Sequence, residues 1–288
     1  MRSIGVLASM TFREAIRRRI VLTGLLLGAA FIVIYSIGFH FIIGQVHFVE
    51  QQALTDPSRQ TLANIARTEA SNTLLLAGLY AVTFLCVAMA ALLAADTLAG
   101  DISSGTIQTV ITKPIRRSDV IVGKWLGFAF LLGVYFLLMG GGTVLSVYIQ
   151  SGYAPNNLLA GLLLIYMEAL LIMTISMACS SGLSALATGA IVFGMYGLAF
   201  IGGWIEQIGA VLQNSTAVKV GIIASLISPS ESLWRRAAYE MQTPLASVLD
   251  ASPFGTVSVP SPLMIAYSVL YMCFAFYIAV RVFQKRDI

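Results

Sequence analysis

Six long apolar stretches dominate this chain and leave few folds open to it. They are residues 20–42, 74–95, 125–148, 158–179, 184–204 and 262–280. A hydrocarbon core of about 30 Å takes about 20 residues of helix to cross, and each stretch is of that order. In hydrocarbon every backbone N–H and C=O must be bonded, and continuous apolar runs of this length achieve that within their own segment as helices. Across all six the one acidic residue is Glu168, and no Lys or Arg falls inside these limits. Only 10% of the 288 residues are charged, against about 25% in ordinary soluble domains, which agrees with a membrane protein. The first stretch is too long, and lacks the small-residue cleavage site, to be a removable signal peptide. The expected fold is all-α, with six transmembrane helices.

Orientation follows from the 17 Lys and Arg. With six spans, one side holds Arg2, Arg13, Arg17, Arg18 and Arg19, then Lys113, Arg116, Arg117 and Lys124, then Arg281, Lys285 and Arg286. The other side holds Arg59, Arg67, Lys219, Arg235 and Arg236. Positive residues accumulate in the cytoplasm, so both termini are expected there, in a cell inner (plasma) membrane. The net charge of +4 is then a topology signal. No basic stripe interleaved with aromatics appears, and no nucleic-acid partner is expected.

The connections carry their own patterns. In residues 1–19, Ile4, Leu7, Ala8, Phe12 and Ala15 share one helical face while Arg2, Ser9, Arg13 and Arg17 share the other. Val6 and Met10 blur that division. An amphipathic helix lying on the membrane is the reading. Residues 43–73 read as an external loop with a polar helical stretch, and 149–157 as a short external link. "SSGL" joins the fourth and fifth spans so tightly that they must be antiparallel neighbours. Residues 205–261 read as an extracytoplasmic helical loop, with Ser230 placed to cap a short helix "ESLWRRAAYEM" and Pro262 to open the last span.

Catalytic chemistry finds little to stand on. "SDVIVGKW" has the GK of a phosphate-binding loop, but Ser118 stands where the first Gly belongs and Trp125 where a magnesium-holding Ser or Thr belongs. No GxSxG or HExxH occurs, and His40 and His47 with Glu50 make a poor metal set. The three cysteines, Cys86, Cys179 and Cys273, sit in different spans and read as small apolar residues. No enzyme activity, metal or cofactor is expected in this chain. Glu168 is the costly residue, since a carboxylate near a helix centre costs roughly 2.5–3.5 kcal/mol on insertion scales. It reads either as a group lining a pathway or as a protonated acid hydrogen-bonded near Tyr166 or Thr174. The dense glycines of the third and fifth spans read as close helix packing.

One charged insert, residues 96–124, interrupts the oil. Ser103 or Ser104 can cap a helix that presents Ile107, Val110 and Ile111 on one face until Pro114 ends it. After "IRR", Ser118 can cap a second helix that runs into the third span. A small amphipathic helix with cationic flanks (Lys113, Arg116, Arg117) and no catalytic group suits docking into a groove of a soluble partner.

The insert also resembles that of the type-2 (exporter-type) membrane subunits of ABC transporters. The matching positions are Asp101, Gly105, Thr106, Pro114, Arg117, Gly123 and Lys124, with Asp101 standing where Glu is commoner. The resemblance implies a single permease domain that forms a homodimer and binds one ATPase subunit per copy, with MgATP held in that partner. The insert would be the coupling helix and residues 1–19 the elbow helix. Asp101, Ser104, Gly105, Thr106, Ile107, Val110, Ile111, Lys113, Pro114, Arg116 and Arg117 would then meet the ATPase. "SPSESLWRRAAYEM" is similar to the membrane subunit of nitrous oxide reductase maturation, which implies an external protein partner at Trp234, Arg235 and Arg236. A proton-coupled secondary transporter using Glu168, and a structural membrane anchor, are the competing readings. The charge count makes a prediction of its own. In a Cys-free version, cysteines at Ser58 and Gln242 should react with an impermeant thiol reagent in intact cells, and one at Ser104 only after permeabilisation. Outside labelling at Ser104 would overturn the orientation.

Overall fold

In the computed structural model, residues 2–52, 57–103, 117–249 and 258–285 are described. They form α1 (Arg2–Ile16), α2 (Arg19–Gln52), α3 (Pro57–Ser103), α4 (Arg117–Ser151), α5 (Leu158–Ser180), α6 (Ala185–Val211), α7 (Ser215–Ile227), α8 (Ser230–Met241), α9 (Pro244–Leu249) and α10 (Pro262–Lys285). The described residues contain no strand. Among the described residues six helices are long and apolar enough to cross a membrane: α2, α3, α4, α5, α6 and α10.

Several helices overrun the apolar segments that announce them. The polar stretch expected as a separate piece of loop is the first part of α3. Its polar side chains are used as stitches. Arg67 donates to the Ser151 carbonyl at 3.0 Å, Thr243 donates to Glu69 at 2.6 Å, and Tyr153 donates to Asn72 at 3.0 Å. Helix α6 likewise continues past residue 204 to Val211, so Glu206 lies inside a spanning helix. Glu168 is therefore not the one acid in the spans.

Helix α3 is the axis of the bundle. Of its apolar window 61% is buried, against 11% for α2 and 17% for α10, which puts those two on the lipid-facing rim. Apolar surface alone gives helices no reason to associate in lipid, so contact depends on close backbone approach and polar bonds. Three glycines bring α2, α3 and α4 together. A Cβ on Gly78 would sit 2.8 Å from Thr143, one on Gly142 would sit 2.8 Å from Ile32, and Gly28 leaves room for Met139. Helix α5 is fixed by hydrogen bonds: Ser176 to the Ala91 carbonyl at 2.8 Å, Tyr166 to the Ala129 carbonyl at 2.8 Å, and Trp125 to Thr174 at 2.9 Å.

Turns follow local chemistry. Helix α4 ends at Gly152, whose φ of +69° is open to glycine and whose N–H bonds Tyr148 at 2.9 Å. Ser184 caps α6 by accepting from the Ala187 N–H, so "SSGL" is the tight antiparallel turn expected. Asn214 caps α7 by accepting from the N–H groups of Thr216 and Ala217. Ser230 is not a cap. It is the first residue of α8, Pro229 holds the cap position, and Ser232 bonds the Pro229 carbonyl at 2.7 Å.

Residues 205–249 are more structured than a solvated loop. Helix α7 folds back on α6 where a Cβ on Gly209 would sit 2.7 Å from Ala217 and one on Gly221 2.6 Å from the Gly202 carbonyl. Tyr267 and Tyr271 of α10 donate to the Leu226 and Ile227 carbonyls at 2.6 and 3.1 Å, satisfying acceptors that the end of α7 leaves open.

The apolar face of α1 turns toward α4 rather than toward lipid. Thr11 and Ala15 are buried, and Phe12 meets Phe130 edge-on at 5.1 Å. Gly123 and Gly127 make the seat: a Cβ there would sit 2.6 Å from Leu7 and 2.7 Å from the Ala8 carbonyl. Lys124 is buried in the same seat, within electrostatic reach of Glu14. Val6 and Met10, which blur the sequence pattern, are exposed together with Ile16 and are left to meet a bilayer surface. Gly127→Leu should destabilise this contact by about 1–3 kcal/mol, the usual cost of overpacking. Trypsin should then cut faster at Arg13 and Arg17. Gly141→Leu, at an open position of the same helix, should leave the cleavage rate unchanged.

Candidate functional site

Helix α8 carries Leu233, Trp234, Ala237, Ala238 and Met241 at helical spacing, and all are buried. Glu231 and Arg235 share that inward face, at 4% and 3% exposure. The helix therefore takes two charges into the bundle, where unpaired charge is expensive. Glycine makes room: the side chain of Glu231 occupies the space a Cβ on Gly203 of α6 would fill.

Arg235 finds its partner on α6. Its Nη1 lies 2.6 Å from Glu206 Oε1, and its Nη2 donates to Ser225 Oγ at 3.2 Å. Ser258 closes the group, donating its hydroxyl to Glu206 at 2.6 Å and its N–H to Gln207 at 3.1 Å. The ion pair thus ties α8 to α6, with α7 and the chain entering α10 also bonded in.

Glu231 has no such neutral balance. Tyr80 of α3 donates to its Oε1 at 3.4 Å, and its Oε2 has no hydrogen-bond partner among the described residues. Glu168 on α5 is fully buried, and neither of its carboxylate oxygens has a partner among the described residues. The two carboxylates are near enough to interact electrostatically, and both act on Tyr196 of α6. Cys86 of α3 feels Glu168 as well. Among the described residues this cluster therefore holds three buried carboxylates and one guanidinium. Such an acidic excess persists in a low-dielectric interior only with protons or a cation to offset it.

Aromatic rings surround the cluster. Tyr80 lies 4.7 Å from Trp234 and 6.3 Å from Phe200, centroid to centroid, and Phe84 lies 6.3 Å from Tyr196. Beside them a groove of about 690 Å³ opens between α2, α3 and α6. Among the described residues no group of three or more His, Cys, Asp or Glu could hold a metal ion.

With this bundle in view, comparison with protein families identifies one match. The family described as "ABC-2 family transporter protein" covers residues 6–288. The chain belongs to that family. This ABC-2 protein is a membrane permease component of an ABC transporter, a class whose membrane parts are generally non-catalytic. None of the curated proteins matches it.

The residues singled out from the permease's sequence fall in three places. Ser104, Gly105, Thr106, Ile107, Val110, Ile111, Lys113, Pro114 and Arg116 lie outside the described residues, as does the short helix expected there. Asp101 falls in the last turn of α3, and Arg117 opens α4. Glu168 sits in the buried cluster, but not against the groups expected for it: Thr174 bonds Trp125 and Tyr166 bonds Ala129. Trp234 and Arg235 face into the bundle at 3% exposure, so they are not the outward surface that an external partner would meet. Arg236 is the outward member, paired with Glu240 at 2.6 Å and lying over Tyr239.

Glu206, Glu231 and Tyr80 were not visible as a site in the sequence. Both acids lie beyond the apolar segments, in stretches that read as loop. The available signal was Ser-Glu at the head of an amphipathic helix, which marks a helix start rather than a buried charge.

Burial raises Glu231 from the ordinary 4.5 to about 7, while the charge of Arg235 and the Tyr80 hydroxyl pull the other way. A raised carboxyl means that the folded protein holds the proton more tightly than the unfolded chain. Stability is then greatest below pH 4.5 on this account and is lost as pH rises toward 7, by about 3 kcal/mol in total. Thermal unfolding of the purified protein should show Tm falling from pH 5 to pH 8. Glu231→Gln should flatten that fall, and an unchanged slope in the variant would remove Glu231 as its source.

Proposed function

We propose that this permease works as an exporter, coupling ATP hydrolysis in a separate ATPase subunit to movement of a substrate across the cell inner (plasma) membrane. The observation that carries the reading is family membership across residues 6–288, which takes in all six spanning helices and the insert between α3 and α4. The insert has the residues for a coupling helix: an apolar face of Ile107, Val110 and Ile111 between Gly105-Thr106 and Pro114, with cations beyond. MgATP belongs to the partner. Both termini and the insert lie on the cytoplasmic side in this reading, following the Lys/Arg distribution.

A second copy completes the transporter. Gly189, Gly194 and Gly197 of α6 have open space beside them, which suits close approach of a second copy's helix. Glu168 lies on the substrate route, supported by its full burial and unpartnered oxygens. An extracytoplasmic protein partner would meet Arg236 and the exposed Tyr239. A proton-coupled secondary transporter is the second reading, favoured by the same Glu168, and it needs no ATPase.

Copurification decides between them. Each buried Val- or Ile-sized side chain is worth about 1.5–3 kcal/mol, so Ile107→Asp with Ile111→Asp should abolish ATPase capture and stimulated hydrolysis. Membrane insertion should survive. Arg116→Ala should weaken capture by under about 1 kcal/mol, as exposed pairs do. Full ATPase binding by the double Asp variant would show that the insert is not the coupling element.

A further inference from the structure

The groove between α2, α3 and α6 has an aromatic wall. It is lined by Phe31, Tyr80, Phe84, Tyr196 and Phe200, with Leu27 among the aliphatic residues beside them. Its volume of about 690 Å³ falls within the range of pockets that hold a drug-sized molecule. Ring faces carry negative potential, which attracts organic cations. Two of these rings interact with the buried carboxylates. Tyr80 donates its hydroxyl to Glu231, and Tyr196 is acted on by both Glu168 and Glu231.

Charge decides what such a wall favours. The one guanidinium of the cluster, Arg235, is paired with Glu206, which leaves Glu168 and Glu231 without a cationic partner of their own among the described residues. A lipid acyl chain would satisfy the apolar lining but gains nothing from that acidic excess. A cation with an apolar body satisfies both: it offsets the carboxylates in place of protons, by Coulomb attraction that a low dielectric strengthens.

We infer that this groove binds lipophilic organic cations, held by the ring faces of Tyr80, Phe84, Tyr196 and Phe200 and drawn by the carboxylates of Glu168 and Glu231. As a substrate class for export this rests on the function proposed above. As a binding site it needs neither ATPase nor turnover, so the experiment measures binding alone.

Tetraphenylphosphonium and tetraphenylborate are ions of the same shape and opposite charge. Equilibrium dialysis of each against the purified full-length protein, with partition into empty micelles subtracted, separates charge from apolar fit. The expected result is saturable binding of one tetraphenylphosphonium per chain, at least about tenfold tighter than tetraphenylborate. Glu168→Gln with Glu231→Gln should erase most of that preference while thermal unfolding stays cooperative. Phe84→Ala, at a half-exposed position of the wall, should weaken the cation's binding with both carboxylates intact. Equal binding of the two ions by the native protein would overturn the inference and identify a plain apolar groove of the kind lipid fills. A preference that survives the double Gln variant would overturn it too. Loss of binding with persistent ATPase-coupled transport of some other substrate would leave the permease reading standing and remove this site.

Discussion

Inside a bilayer, one apolar helix gains nothing by leaving lipid for another apolar helix, and the architecture follows from that. Association has to come from backbones that approach closely and from polar groups that find partners. Both devices are concentrated where helices must hold together. Gly28, Gly78 and Gly142 join α2, α3 and α4, while Gly202, Gly209 and Gly221 join α6 to α7. Tyr166, Ser176 and Trp125 supply the hydrogen bonds that hold α5 against α3 and α4. Where neither device is present, as along most of α2 and α10, the helices stand at the rim with apolar side chains exposed.

The same solvent makes a charge taken into the bundle conspicuous. Arg235 and Glu206 compensate one another at 2.6 Å and are further bonded by Ser225 and Ser258. A buried pair of this kind is weak evidence for net stability, but removing one partner is costly, because it leaves the other charge stranded. That fixes where α8 must sit. Once α8 is seated, Glu231 comes with it, four residues before Arg235 and on the same face. It arrives beside Tyr80 and within reach of Glu168. The acidic excess is thus a consequence of the anchor.

Much of this was legible in the sequence, and the remainder has a common cause. The six spans follow from length and hydropathy alone, since a continuous apolar run of about 20 residues satisfies its own backbone in hydrocarbon as a helix, whereas barrel strands are shorter and alternate. The tight turn at Ser184 and the start of α10 at Pro262 follow from local rules that hold in any solvent. Partners are what periodicity cannot supply. Ile4, Leu7, Phe12 and Ala15 do share a face, but nothing in residues 1–19 says that the face meets Gly123 and Gly127 instead of lipid. Glu206 and Glu231 carry no burial signal in the sequence, because a position just past an apolar run is ordinarily solvated. Their burial depends on α7 and α8 folding back against the bundle. Trp234 and Arg235 reverse the expectation for the same reason, turned inward by a packing face that the RR pair disguises.

The Gly-Lys of the insert's family pattern also changes meaning in three dimensions. In sequence, Gly123 and Lys124 look like the trailing end of a docking segment. In the fold they are the seat of α1: Gly123 admits Leu7 against the backbone, and Lys124 lies buried near Glu14. Helices α1 and α4 are therefore clamped within two turns of the point where the insert enters α4, and they are positioned as one body. The next residue, Trp125, carries the first polar bond from that body to α5, at Thr174. Thr174 is six residues along the same helix from Glu168, about 9 Å at helical rise. The seat of α1 on α4 is thus joined to the helix that bears the buried carboxylate by a hydrogen bond, a directional contact that apolar surface does not supply.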